Sequence, residues 1–271
     1  LGGRREQRED AWRGHRESVA ARWLATTPAA SRDSRSTSRA ATGTMSLMLQ
    51  TFADVLTPAE HESLLAIADR TTFVSGLETA SRRLADTKQN EQMMLADPAN
   101  AEVSKIVGTA ISRHSAFRTA TMPRQVHSLR LSRYRAGMRY GKHVDAPLMQ
   151  DGPLALRADL SFTLFLSDPK DYQGGELCLE TGSGDARLKL PARHMVVYPT
   201  GQLHEVREVT AGQRVVVLGW IQSFVREHAA RETLWDLSVA MELVHAAEGK
   251  SRVYDLLMKS HANLVRRWAE T

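Results

Sequence analysis

Between about Met122 and Val225 the chain reads as a succession of short β-strands. The runs 125–134, 139–144, 159–167, 176–180, 186–190, 194–198, 203–209 and 213–222 alternate or concentrate β-branched, aromatic and other apolar residues. Stretches such as Asp171-Tyr172-Gln173-Gly174-Gly175 and Thr181-Gly182-Ser183-Gly184 separate them and read as turns. A series of this kind folds as a sandwich or a jelly roll. No internal repeat is evident.

Helical patterns flank the β region. Leu47 to Phe52 reads as a strand, and Thr57-Pro58-Ala59-Glu60 then forms a capping box with proline at the first helical position. The helix it opens runs to about Arg70 and buries Leu64, Leu65 and Ile67. Asp97-Pro98 opens a second helix to about Phe117, striped by Val103, Ile106, Val107, Ala110 and Ile111. Past residue 226, Ala230, Leu234, Leu237, Met241 and Val244 step by four and three. Gly249 stops that helix, and Ser251 caps a last one through Trp268, with Val253, Leu256, Leu257, Leu264, Val265 and Trp268 facing inward. These faces pack on the rest of the fold or serve a partner, including a second copy of the chain. The expected class is α+β with a mainly β core. Its units are a segment over 45–121, a β core over 122–226 and a helical segment over 227–271.

Residues 1–44 differ in texture. They hold nine Arg, no Lys and five acidic residues, and no helical stripe is sustained. The segment reads as a disordered basic arm, sequence lying upstream of a natural start at Met45. It lacks the apolar stretch of a secretory signal. It also carries most of the net charge of +5, so the remaining chain is close to neutral and no nucleic-acid partner is expected. The single cysteine, Cys178, permits no intrachain disulfide and suits a reducing cytoplasm. The longest apolar runs are too short to span a membrane.

Chemistry concentrates in Tyr134-Arg-Ala-Gly-Met-Arg-Tyr-Gly-Lys-His-Val-Asp145. On a strand, residues i and i+2 point to one face, so His143 and Asp145 aim an imidazole and a carboxylate at one point. A second histidine, His204, lies beyond several strands, and Arg214 follows at the head of Val215-Val216-Val217-Leu218. Two His and one carboxylate on one face of a metal leave positions open and suit non-haem Fe(II). Zinc fits the same ligands in a hydrolytic site. Arg214, Val216, Leu218 and Trp220 share a strand face. An inward Arg needs an anionic partner, and no acidic residue lies on its strand.

With these residues in place, the chain resembles the Fe(II)- and 2-oxoglutarate-dependent dioxygenases. It is most similar to the bacterial PKHD-type hydroxylases, a prolyl/lysyl-hydroxylase-like group associated with iron uptake. The likeness runs from about Met45 to the C-terminus. It is carried by 134–145, by Arg157-Ala-Asp-Leu-Ser-Phe-Thr-Leu-Phe-Leu-Ser-Asp-Pro169, by Tyr172-Gln-Gly-Gly-Glu-Leu177, by Tyr198-Pro-Thr-Gly-Gln-Leu-His204 and by Trp220-Ile-Gln-Ser-Phe-Val-Arg226.

The resemblance implies a double-stranded β-helix with Fe(II) on His143, Asp145 and His204. It also implies 2-oxoglutarate gripped at its 5-carboxylate by Arg214, with Tyr134 as a further contact. Oxidative decarboxylation to succinate and CO₂ would be coupled to hydroxylation of a C–H bond by O₂, with ascorbate as the rescuing reductant. Relatives place a tyrosine on the strand after the H-x-D. Here that strand reads Ser161-Phe162-Thr163-Leu164-Phe165, so the second contact to the 5-carboxylate is unassigned.

The competing readings are a jelly roll that senses iron or an iron chelate without turnover, and a cupin-like non-redox metalloenzyme. Neither needs a buried Arg facing the metal cavity. Tyr140 borders the same region. Lys88-Gln89-Asn90-Glu91-Gln92 resembles a polar motif of the family but has no assigned role. Arg157 and Asp159 are expected at the site mouth or on the solvated surface. His194 is expected in a turn and His127 on a strand. His61, His114, His228, His245 and His261 fall within expected helices. The substrate is not legible.

Overall fold

The computed structural model describes residues 49–79, 87–94, 96–151, 154–182 and 184–271; the basic arm expected over 1–44 lies outside them. Ahead of the main β region come β1 (Gln50–Phe52), α1 (Pro58–Arg70), β2 (Phe73–Ser75), β3 (Lys88–Gln89), β4 (Glu91–Met93), α2 (Ala99–Arg113) and α3 (Ser115–Thr121). Then follow β5 (Pro123–Arg135), β6 (Arg139–His143), β7 (Leu148–Asp151), β8 (Leu154–Arg157), β9 (Leu160–Phe165) and β10 (Tyr172–Gly174). The series closes with β11 (Leu177–Thr181), β12 (Gly184–Leu188), β13 (Met195–Pro199), β14 (His204–Val206) and β15 (Val209–Ser223), and ends in α4 (His228–Glu248) and α5 (Arg252–Trp268).

Two antiparallel sheets face one another. The larger runs β1-β13-β9-β15-β5-β4-β2, with β10 also paired to β15, and the smaller runs β12-β11-β14-β6-β3. Period-two alternation gives the larger sheet two different faces. Leu160, Phe162, Leu164, Met195, Val197, Val215, Val217 and Ile221 point outward and pack on Leu64, Ile67, Val103, Val107, Ile111 and Phe117 of the N-terminal helices. Each such fully buried side chain contributes roughly 1.5–3 kcal/mol. Phe165, Val196, Tyr198 and Val216 point the other way and meet Leu177, Leu179 and Val206 of the smaller sheet. A second core between two facing antiparallel sheets makes this a double-stranded β-helix, with helices on the outside. The functional residues lie in that inter-sheet space.

The capping box forms as expected. Thr57 N donates to Glu60 Oε2 at 2.8 Å, and Glu60 N donates to Thr57 Oγ1 at 3.2 Å. Arg113 then grips both Glu60 oxygens, at 2.9 and 2.8 Å, and ties α2 to α1. That ion pair holds the Glu60 carboxyl down at about 2.

Several expectations are corrected. The helix expected over 97–117 is two helices. His114 takes an extended backbone, and its Nδ1 accepts from Phe117 N at 3.2 Å, so it caps α3 and lies outside either helix. The strand expected over 186–190 starts earlier, because a tight hairpin pairs Thr181 with Gly184. The β7–β8 hairpin and the short strands β2, β3, β4 and β10 were not anticipated. In α5, Val253 and Leu256 are exposed, at 50% and 45%, rather than facing inward. The packed part of the C-terminal helices is narrower: Ala230 and Leu234 meet Val225, Leu264, Val265 and Trp268.

Arg157 and Asp159 are partly buried and joined in an ion-pair group. Arg157 Nε pairs with Asp159 at 2.6 Å and its Nη1 with Glu270 at 2.8 Å, while Asp159 accepts from Ser223 N at 2.9 Å. The group pins the C-terminus to the end of β15.

Candidate metal centre

His143 is the last residue of β6, and Asp145 follows it past the strand end. His204 opens β14, directly paired with His143 in the ladder. The three side chains converge between the sheets. His143 Nε2 lies 3.8 Å from Asp145 Oδ1, His204 Nε2 lies 3.9 Å from Asp145 Oδ2, and donor atoms of all three fall within 4.8 Å of one another. Both histidines are 5% exposed.

The surroundings prepare these groups to hold a metal. His143 Nδ1 donates to Gly141 O and His204 Nδ1 to Gln202 O, each at 2.8 Å. That contact places the ring proton on Nδ1 and leaves the Nε2 lone pair turned to the centre. Burial and the facing His204 pull the His143 pKa down to about 4, so the ring is neutral at pH 7. Tyr140 stacks on the His143 ring at 3.6 Å, and Tyr198 meets the His204 ring edge-on at 5.1 Å. On Asp145, one oxygen takes both protein donors: Ser161 Oγ at 2.8 Å and Trp220 Nε1 at 2.9 Å reach Oδ2. Ser161 in turn contacts Thr200 Oγ1 at 3.1 Å. Oδ1 remains available to an ion.

Farther along the same inner face lies Arg214, opposite Tyr134 in the β15–β5 register and 1% exposed. Its guanidinium carbon sits 5.2 Å from the Tyr134 ring centroid and 5.3 Å from that of Phe165. None of its three nitrogens meets a hydrogen-bond partner. A buried guanidinium left unpaired costs several kcal/mol, so its position is that of a group awaiting an anion. The Tyr172 hydroxyl lies beside it and is likewise buried without a partner at bonding geometry. Burial raises the Tyr172 phenol while Arg214 draws it back. Burial raises Tyr134 as well, again opposed by Arg214. The close packing depends on Gly175. At φ +68°, a Cβ there would stand 2.9 Å from Val209 Cγ2, 3.0 Å from Tyr172 Cε2 and 3.2 Å from Arg214 Cδ.

The structure thus brings His143, Asp145 and His204 together, and sets Arg214 and Tyr134 against one another in the same chamber. Sequence reasoning missed Tyr172 as a neighbour of Arg214. It missed the support that Ser161 and Trp220 give Asp145. It also left Lys88, Asn90 and Gln92 without a place, yet all three are buried, at 6%, 4% and 3%, while Gln89 between them is exposed. Their period-two spacing was the available signal. Cys178 is buried, with its thiol pushed up by burial, and takes no part.

Two facing antiparallel sheets with two imidazoles, a carboxylate and a partnerless buried guanidinium between them define a jelly-roll site built for a metal and an anionic ligand. The family described as the 2OG-Fe(II) oxygenase superfamily matches residues 129–222. A PKHD-type hydroxylase of Gloeothece citriformis is 41% identical over 223 residues, covering 82% of this chain and 100% of that relative. One of Acaryochloris marina is 43% identical over 226 residues, with the same coverage. Among solved structures, a prolyl-4-hydroxylase of Pseudomonas putida is similar at 18% identity, covering 65% of this chain and 92% of that one at a TM-score of 0.44. The chain belongs to the PKHD-type hydroxylases of the 2OG-Fe(II) oxygenase superfamily. It is an Fe(II)- and 2-oxoglutarate-dependent dioxygenase. Among the described residues no helix is long and apolar enough to cross a membrane.

Proposed function

We propose that His143, Asp145 and His204 hold the iron, and that Arg214, Tyr172 and Tyr134 receive the 5-carboxylate of 2-oxoglutarate. The observation that carries this reading is the fully buried Arg214 guanidinium without a partner, on the inner face that also presents Trp220 to Asp145. A planar guanidinium matches a carboxylate in bidentate fashion, and the Tyr172 phenol beside it supplies the second contact absent from β9. When bound, Fe(II), 2-oxoglutarate and O₂ supply the oxidation: one oxygen atom goes to succinate formed with CO₂, the other to the substrate C–H bond.

The chain's own residues position these groups. The Gly141 and Gln202 carbonyls accept from Nδ1 of His143 and His204, so each Nε2 is the atom turned toward the ion. Ser161 and Trp220 fix the carboxylate of Asp145 and steer Oδ1 toward the ion. Phe165, Val196 and Val216 wall the chamber and exclude water from the reaction. Ascorbate as reductant and a setting in iron uptake rest on family resemblance. The hydroxylated substrate is a small molecule or a peptidyl side chain, and pairing of two copies would use the C-terminal helices.

The test is metal analysis of anaerobically loaded protein, followed by 2-oxoglutarate titration and succinate assay. One Fe(II) per chain, a metal-to-ligand charge-transfer band on adding 2-oxoglutarate, and succinate on admitting O₂ are expected. Iron that binds equally well after His143→Ala would refute the ligand assignment.

A further inference from the structure

We propose that Asn90 is a positioning residue of the co-substrate site, a buried amide that turns the Tyr134 hydroxyl toward the 5-carboxylate of 2-oxoglutarate. This deepens the reading above and rests on it. Asn90 lies between β3 and β4, where the chain leaves the smaller sheet for the larger. The ladders on both sides of β4 fix its neighbours. On one side Ser75 pairs with Glu91, and the next rung is closed by Gly76 N donating to Asn90 O at 2.8 Å. On the other side Glu91 pairs with Arg133 and Gln92 with Ser132, so the antiparallel register sets Asn90 against Tyr134. Tyr134 in turn pairs with Arg214. Gly76, Asn90, Tyr134 and Arg214 thus form one row across the larger sheet. Ser132 shares the inner face of Tyr134 and accepts from Gln92 Nε2 at 3.4 Å. Period-two alternation puts the Asn90 side chain on that face as well.

Gly76 decides how the amide lies. A Cβ at that position would collide with Asn90 Oδ1 and stand 2.9 Å from its Cγ, so the backbone of a glycine leaves the room the side chain fills. With Oδ1 laid over Gly76, Nδ2 is the end turned to Tyr134. Asn90 is 4% exposed, and neither amide atom reaches a partner at bonding geometry. Burial raises the Tyr134 phenol, opposed first by Arg214 and then by the Asn90 amide, the direction an N–H donor gives. A phenol hydroxyl can donate or accept, whereas a carboxylate only accepts. To hold the ligand, Tyr134 must point its O–H at the carboxylate, and its lone pair is then the acceptor that Nδ2 lacks. Closing that bond satisfies a buried amide whose exposure to an apolar interior is costly. It also polarises the phenol toward the anion.

The test follows the charge-transfer band as 2-oxoglutarate is titrated into anaerobic Fe(II) protein. The variants are Asn90→Leu, Asn90→Asp, Tyr134→Phe and the double variant carrying Asn90→Leu with Tyr134→Phe. Asn90→Leu removes the amide at similar volume and is expected to weaken 2-oxoglutarate about three- to tenfold. Asn90→Asp keeps the shape but draws the phenol proton to itself, and should weaken it by about tenfold or more. In the Tyr134→Phe background, Asn90→Leu should change the affinity by less than about twofold, because its effect passes through the missing hydroxyl. The metal-free Asn90→Leu protein should melt no lower than wild type, since the unpaired amide is gone. Wild-type affinity in both Asn90 variants, or an equal loss with and without the Tyr134 hydroxyl, would overturn the proposal and leave the co-substrate site intact. A lower melting temperature with unaltered affinity would also overturn it, by reducing Asn90 to support of the fold. Tyr134→Phe binding 2-oxoglutarate as wild type does is the separate outcome that would strike the underlying reading of Tyr134, and Asn90 with it.

Discussion

Trp220 donates its indole N–H to Asp145 Oδ2 at 2.9 Å, from the same strand face that carries Arg214 six residues earlier. One strand thus serves both ends of the chamber. It orients a candidate metal ligand at one end and offers a guanidinium at the other. Ser161 adds a second donor to the same carboxylate oxygen, so the two hydrogen bonds fix the carboxylate plane without blocking Oδ1. Outer contacts of this kind are typically worth about 10–100-fold in metal affinity. Trp220→Phe keeps most of the buried ring and removes the donor. It is expected to weaken Fe(II) binding by about tenfold with little change in thermal stability. Unchanged iron affinity would reduce the indole to packing.

The three proposed ligands should behave differently from their neighbours. His143→Ala or Asp145→Ala is expected to abolish binding at stoichiometric iron, because each removes one of only three protein donors. Asp145→Glu is expected to fail also. Its longer arm carries the carboxylate past the Ser161 and Trp220 donors that fix the present one. Inductively coupled plasma analysis after desalting reads the result, and a variant retaining full iron would place the ligands elsewhere.

The apo protein should show an acid-sensitive step. Burial and His204 lower the His143 pKa from 6.5 to about 4. The folded state then binds fewer protons than the unfolded state between those values, so stability rises with pH across the window. The contribution is fully present above about pH 6.5 and is lost as pH falls toward 4. Its size is on the order of 1–3 kcal/mol. Urea unfolding of metal-free protein at pH 7.0 and pH 5.5, a range above most carboxylate titration, is expected to show the loss. His143→Gln should flatten the difference, and an undiminished slope in that variant would assign the effect to another group.

How far the sequence carries depends on how local each cause is. His143-Val144-Asp145, His204 and Arg214 were legible because metal and carboxylate chemistry admits few residue types, and strand alternation says where they point. The capping box at Thr57–Glu60 was legible because all its hydrogen bonds fall within one turn. The break at His114 was not, since it rests on an imidazole acting as a cap in the middle of a continuous apolar stripe. Tyr172 was hidden for another reason. Its approach to Arg214 follows from β10 joining β15 through a register shift between Gln173 and Gly174, a long-range pairing with no sequence mark. Lys88, Asn90 and Gln92 showed their alternation plainly. Their place appears only when β4 lies on the larger sheet and β3 on the smaller, carrying the chain around the chamber corner.

The far end of the chamber gives the sharpest test of the co-substrate assignment. Arg214→Met retains much of the apolar stem against Tyr134 and Phe165 but removes the fork. Iron binding should survive, because Arg214 touches none of the proposed ligands. Affinity for 2-oxoglutarate should fall by on the order of 10- to 1,000-fold, the loss expected when charge-assisted bonds worth roughly 1.5–3 kcal/mol, or somewhat more for a bidentate pair, are removed. Arg214→Lys should recover part of that loss, since it restores charge without the planar geometry. Tyr172→Phe removes one neutral donor and should cost less, roughly 3- to 10-fold, in keeping with about 0.5–1.5 kcal/mol for such a bond. Titration of 2-oxoglutarate into each anaerobic Fe(II) variant, followed by the charge-transfer band, measures all three. Equal affinity in wild type and Arg214→Met would remove Arg214 from the co-substrate site. A Tyr172→Phe loss as large as that of Arg214→Met would make the phenol the principal anchor.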